Sequence, residues 1–132
     1  KNSPNRCFIS NMSSKTNKCR CASHAGSWYS DDEELLKSQL KQWLSNAKEF
    51  DSNSPLLKAI ISPHAGFSYS AKTAAFSYKA INPDKYKRIF ILGPSHKIYL
   101  KGCGLPSVSL YETPVGNLNI DVEIVEKLKK LK

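Results

Sequence analysis

Two short apolar runs, residues 56–61 (LLKAII) and 88–92 (RIFIL), each end in a turn carrying a histidine, and a small-residue stretch joins them. This pattern constrains the fold more than any other feature of the chain. Pro55 and Pro63 bound the first run, and Gly93-Pro94 closes the second. Runs of that length with β-branched residues and turn signals at both ends read as buried strands. Between them, residues 70–81 place Ala71, Ala74, Ala75 and Tyr78 on one face of a helix, and Asn82-Pro83-Asp84 breaks it. The connections are short enough to make the two strands parallel neighbours in a β–α–β unit. The expected class is therefore α/β, with a central, mainly parallel sheet flanked by helices.

Regular structure is expected to start at Ser30, where Ser30-Asp-Asp-Glu33 reads as a capping box. Four successive acids from Asp31 to Glu34 suit the positive end of a helix dipole. Leu36, Leu40, Trp43, Leu44 and Ala47 then form one apolar stripe at helical spacing, in a helix expected to end near Phe50. A weaker strand is expected in 108–111, before a turn region at Pro114 and Gly116. Asp121 caps a last helix with Ile124, Val125, Leu128 and Leu131 on its inner side.

The formal charge of +9 invites a nucleic-acid reading, but its distribution argues against one. Residues 1–20 hold Lys1, Arg6, Lys15, Lys18 and Arg20 and no acid, and Lys127, Lys129, Lys130 and Lys132 form a second cluster. Two basic ends read as solvated segments rather than as a patch that tracks a phosphate backbone. Residues 1–18 lack any periodic apolar face and read as a disordered lead, with residues 19–132 forming the folded part. No apolar run reaches the ~20 residues of a membrane-spanning helix, so membrane insertion is not expected. No secretory h-region is present in the lead. The first residue is not Met, which points to a fragment or an unusual gene model. The four cysteines are Cys7, Cys19, Cys21 and Cys103. Cys19-x-Cys21 is too tight for the usual zinc knuckle, and reduced thiols are the preferred reading.

Chemistry points to the three histidines. His24 lies in Ala-Ser-His-Ala-Gly, His64 in Ser-Pro-His-Ala-Gly and His96 in Gly-Pro-Ser-His. His64 and His96 each follow a predicted parallel strand, and the carboxyl ends of such strands emerge on the sheet edge where open α/β folds bind ligands. Strands about 4.8 Å apart can bring two imidazoles to one ion. The plainer reading makes each histidine a turn residue satisfied by the backbone. A tight metal site also needs a third ligand; Glu112 is the one acid in 85–120, but its spacing does not single it out. Trp28, Tyr29, Phe67 and Tyr69 flank the histidine loops as a stacking wall or as the edge of the core, the latter preferred for Phe67. Phosphate-loop, dinucleotide, zincin and nucleophile-elbow motifs are all absent, and a Ser95–His96 dyad is disfavoured because adjacent side chains point apart.

Three ordered segments carry a family resemblance. Ala22-Ser-His-Ala-Gly-Ser-Trp-Tyr29, Ile61-Ser-Pro-His-Ala-Gly-Phe-Ser-Tyr69 and Arg88-Ile-Phe-Ile-Leu-Gly-Pro-Ser-His96 closely resemble motifs of the Memo family, mediators of receptor-tyrosine-kinase-driven cell motility. Leu110-Tyr-Glu-Thr-Pro114 is similar to the family too, and the likeness runs from about Arg20 to about Glu126. The resemblance implies a fold related to the class III extradiol dioxygenases, whose non-haem iron sits on two histidines and a carboxylate. In Memo proteins the corresponding cleft resembles two histidines and a cysteine. By motif, His64 and His96 would be the imidazole ligands of copper or iron. Trp28 and Tyr69 would line a cleft for a phosphotyrosine-containing receptor peptide, and His24 would sit on its rim.

Memo proteins are more than twice as long as this chain, and the motifs supplying their cysteine ligand do not occur in it; Cys103 follows the wrong motif to replace it. The chain thus resembles the N-terminal half of a truncated Memo-type fold with a marginal core and poor solubility. The expected function is a cytoplasmic signalling adaptor that binds a phosphotyrosine peptide. The alternatives are a copper- or iron-dependent redox enzyme and a non-functional truncated product.

Overall fold

The computed structural model describes residues 18–48 and 57–131. These residues form a small α/β arrangement of three helices and a three-stranded mixed sheet. They fall into two compact units: one holds the residues up to Ser23 together with those from Gly93 onward, and the other runs from His24 to Leu92. The expected lead, residues 1–18, lies outside the described residues except for Lys18.

The His24–Leu92 unit is a helix pair. Helix α1 spans Glu33–Asn46 and α2 spans Phe67–Lys79. The capping box shifts by two residues. Asp32, not Ser30, is the N-cap, and its carboxylate accepts from the Leu35 amide at 2.7 Å. Ser30 acts just upstream, its hydroxyl accepting from the Asp32 amide at 3.1 Å. With Asp32 as cap, Glu33 becomes the first helical residue and pairs with Lys37 at 2.6 Å, one turn on. That hydrogen bond, reinforced by Glu34, holds the exposed Lys37 ammonium above its ordinary range. The apolar stripe is realised: Leu36 and Ala47 are buried, and Leu40, Trp43 and Leu44 are half-buried. The expected end of the helix at Phe50 lies outside the described residues; α1 stops at Asn46.

Helix α2 starts one turn earlier than its alanine pattern suggested. It presents Ser70, Ala71 and Ala75, all buried, and packs on α1. Small side chains on the contact face let two helices approach closely, at the cost of little apolar area per residue. Asn82-Pro83-Asp84 ends the helix as expected: a 3-10 turn over Pro83–Lys85 follows, with the Asn82 side chain accepting from the Asp84 amide.

Among the described residues the two parallel strands expected at 56–61 and 88–92 do not form. Residue 56 is outside the described residues; 57–61 and 88–92 carry no regular secondary structure and have no ladder partner among the described residues. A strand exists only through its neighbours, and an apolar run alone cannot supply them. Ile89 and Ile91 are 76% and 79% exposed while Phe90 and Leu92 are 67% and 91% exposed, so neither face of the second run is covered.

The sheet lies in the other unit and is built from pieces two residues long. Strand β1 (Cys19–Arg20) pairs in parallel with β2 (Leu110–Tyr111), which pairs antiparallel with β3 (Leu118–Asn119). The weak strand expected in 108–111 is therefore present. The turn after it, closed by the Thr113 side chain and Gly116 at φ +125°, delivers β3, which sequence patterning did not anticipate. Regular structure also starts before Ser30, because β1 has only a remote partner to define it. Asp121 caps α3 (Val122–Leu128) as expected, accepting from the Ile124 amide. Val125 is buried and Ile124 and Leu128 are half-buried, whereas Leu131 falls past the helix and is exposed.

Among the described residues the buried apolar side chains are Leu36, Ala47, Ala71, Ala75 and Val125, and three of these five are alanines. So little burial leaves the ordering entropy weakly opposed. The isolated chain should melt broadly and bind a hydrophobic dye such as ANS under native conditions. A sharp calorimetric transition without dye binding would contradict this.

Candidate functional site

The site begins with a closed loop. His24 offers its carbonyl to the Ser27 amide at 3.1 Å, the Trp28 amide at 2.9 Å and the Ser27 hydroxyl at 3.0 Å. The Gly26 amide donates to the Tyr29 carbonyl at 2.8 Å, closing the turn in the other direction. Gly26 has φ +78°, a left-handed conformation that a side chain at this position would strain. A Cβ there would also come within 3.3 Å of the Asp31 carboxylate.

This loop is fastened to the start of α2 by one main-chain bond. The N-cap residue of α2, Gly66, offers no side-chain acceptor, and the Trp28 carbonyl takes the Phe67 amide at 2.8 Å instead. The bond draws the first histidine motif onto the second. Trp28 then lies close to two imidazoles, with ring centroids 4.8 Å from His24 and 6.0 Å from His64, both tilted. All three side chains are exposed, Trp28 to 40%.

Beneath them a second aromatic row closes the edge of the helix pair. Tyr29 and Phe67 lie 5.4 Å apart, and Phe67 meets Trp43 of α1 edge-on at 5.9 Å. Phe67 is thus a core-edge residue, as the sequence suggested, and Tyr29 joins it. The loop bearing His64 is held from below by Ser70, whose buried hydroxyl donates to the Ala65 carbonyl at 2.8 Å. Ser70 carried no signal in the sequence beyond its place in a small-residue helix. Tyr69, in the first turn of α2, is 87% exposed and presents its ring to solvent.

His96 is placed differently. It belongs to the other compact unit, in a turn where the Ser95 hydroxyl donates to the Ile98 carbonyl at 2.5 Å. Among the described residues neither His64 nor His96 follows a strand, since 57–61 and 88–92 take no place in the sheet. Glu112 has a structural duty: its carboxylate accepts from the Ala22 amide at 3.2 Å, just past β1. Among the described residues no three His, Cys, Asp or Glu side chains gather where they could hold a metal ion. A shallow groove between α1 and α2, lined by Trp43, Asn46, Lys72 and Phe76 among others, contains none of the motif residues.

The motif residues of this loop pair lie within a longer match to known proteins. A family model described as Memo-like protein matches residues 20–132. The chain belongs to the Memo family. It is 47% identical over 112 residues to Protein MEMO1 of Homo sapiens, covering 85% of this chain and 37% of that protein. Protein MEMO1 of Xenopus laevis is 46% identical over 112 residues with the same coverages. The memo-1 homolog of Caenorhabditis elegans is 46% identical over 110 residues, covering 83% of this chain and 31% of the relative. This Memo-family chain thus spans little more than a third of the length of the curated relatives it matches.

Replacing Ser70 by Ala removes a buried donor and leaves the Ala65 carbonyl without that partner. The cost expected in urea unfolding is about 0.5–1.5 kcal/mol, together with a shift in Trp28 fluorescence as the His64 loop loosens. An unchanged midpoint and an unchanged emission spectrum would show that the tether is not needed.

Proposed function

We propose that this chain carries the peptide-binding cleft of a Memo-type signalling adaptor, with a phosphotyrosine side chain as the ligand. The observation that supports this reading is the exposed Trp28 ring lying beside the imidazoles of both His24 and His64. An exposed indole is a surface for stacking a phenyl ring, and flanking imidazoles are donors for phosphate oxygens. In this reading Tyr69 extends the aromatic wall. The dioxygenase-like fold, the cytoplasmic location and the role in cell motility belong to the same proposal and rest on the family resemblance.

The second reading, a copper or iron redox enzyme on His64 and His96, fits the described residues less well. A catalytic metal of that kind needs three protein ligands, and the described residues bring no such set together. Two imidazoles alone do not complete such a centre.

Titrating a tyrosine-phosphorylated peptide and its unphosphorylated twin against the chain tests the adaptor reading. The phosphorylated form should bind more tightly, and Trp28→Ala should weaken it by about tenfold or more, as for a central aromatic anchor. Equal affinity of the two peptides, or of the two proteins, would count against the cleft. Metal analysis of the purified chain beside the His64→Ala/His96→Ala variant separates the readings. Stoichiometric iron or copper lost in that variant would favour the enzyme.

A further inference from the structure

We propose that the groove between α1 and α2 is a second subsite of the peptide cleft, taking an apolar side chain four residues from the phosphotyrosine, with an acidic residue midway. This rests on the phosphotyrosine reading of the cleft and specifies the residues that flank that phosphate. Cleft and groove share a wall. The Trp28 carbonyl holds the Phe67 amide at 2.8 Å, and the Phe67 ring meets Tyr29 at 5.4 Å and Trp43 at 5.9 Å. Trp43 also lines the groove, together with Ala47 of the residues after α1 and Phe76 of α2. All of these residues lie in the His24–Leu92 unit. One run of contacts therefore leads from the first histidine loop to the groove.

The groove has a volume of about 460 Å³. Its apolar lining is Trp43, Ala47 and Phe76, and the Phe76 ring is 48% exposed. Gln42, Asn46 and Lys72 complete it with two amides, one cation and no acid. Such a lining takes an apolar group and orients it by a few polar contacts. A shallow groove alone is a weak site. Joined to a ligand already anchored at Trp28, it adds apolar burial without a second loss of translational freedom.

Helix α2 sets the spacing. Tyr69, Lys72 and Phe76 fall at i, i+3 and i+7, which is one side of a helix, and all three are exposed. At 1.5 Å per residue, Lys72 lies about 7.5 Å and Phe76 about 13.5 Å along the axis from Phe67. An extended peptide advances about 3.3 Å per residue, so it passes Lys72 near its second residue and Phe76 near its fourth. Helix α2 carries Lys72 and Lys79 and no acid. The midway residue is therefore matched by Asp or Glu, and a cation there is repelled.

A peptide symmetric about its phosphotyrosine, with Glu two positions away and Leu four positions away on both sides, tests the subsite in either chain direction. Replacing both leucines by serine should weaken binding to the chain about tenfold, and Phe76→Ser should do the same to the leucine peptide. Lys72→Glu should weaken the glutamate peptide at least about threefold, and lysine in place of both glutamates should restore its binding to that variant. This rescue separates a peptide contact from a structural role. Because Lys72 is exposed, Lys72→Glu should also keep the far-UV circular dichroism of the wild type. Phosphopeptide binding that depends on Trp28 but ignores the leucines, Phe76 and the charge exchange would overturn the subsite and leave the cleft standing. Binding of no phosphopeptide would overturn both. Loss of self-association in Phe76→Ser with unchanged peptide affinity would assign the groove to a second copy and overturn the proposal as well.

Discussion

The hydrogen bond from the Phe67 amide to the Trp28 carbonyl organises this molecule's candidate site. Helix α2 starts without a side-chain cap, so its first amides need acceptors from elsewhere. Using a remote carbonyl for that purpose satisfies the helix and joins two motifs in one step. The Trp28 side chain, carried by the same residue, is thereby set beside His64, while the turn around Gly26 keeps His24 beside it as well. A capping requirement of the backbone thus becomes the device that assembles an aromatic and imidazole cluster.

The supports of that cluster differ in kind. Phe67, Tyr29 and Trp43 provide apolar contact at the edge of the helix pair, and Ser70 provides a buried polar tether to Ala65. Contact area is tolerant of small displacements, whereas a buried hydroxyl demands one acceptor in one direction. The His64 loop is therefore positioned by the polar tether and cushioned by the rings. An exposed site on a small core needs such directional bonds, because burial alone is too limited here to hold loops in place.

Local signals were legible in the sequence and remote ones were not. The helices were found because caps and periodicity are written within one segment: Asp121 and Asn82 act where expected, and the stripe from Leu36 to Ala47 faces inward. Even there the cap moved from Ser30 to Asp32, since neighbouring acceptors compete for the same amides. β1 and β3 were missed because two-residue strands carry no period to detect. The histidine loops were legible from their residue types, and the likeness of three motifs to the Memo family was legible as a pattern. The bond joining Trp28 to Phe67 was not, because a main-chain carbonyl has no sequence signature. Ser70 was hidden for a related reason: a serine in a helix gives no sign of which carbonyl it will meet.

The error over residues 56–61 and 88–92 has the most physical content. Both runs have the composition of a strand, and composition measures how well a side chain suits a half-buried pleated surface, not whether that surface exists. In water an unpaired extended backbone loses little, because solvent satisfies its amides and carbonyls. The apolar side chains are different: each square ångström left in water forgoes about 25 cal/mol. Ile89 to Leu92, exposed on both faces, therefore contribute almost nothing to folding in this arrangement, although they are among the most apolar residues of the chain. Stability falls instead to α1 and α2, whose contact is made by alanines and a serine. The same four residues form an uncharged, β-prone stretch without proline, the composition that pairs most readily with another extended segment. What weakens the fold and what makes the chain prone to associate are thus one feature: strand-forming residues without a neighbouring strand among the described residues.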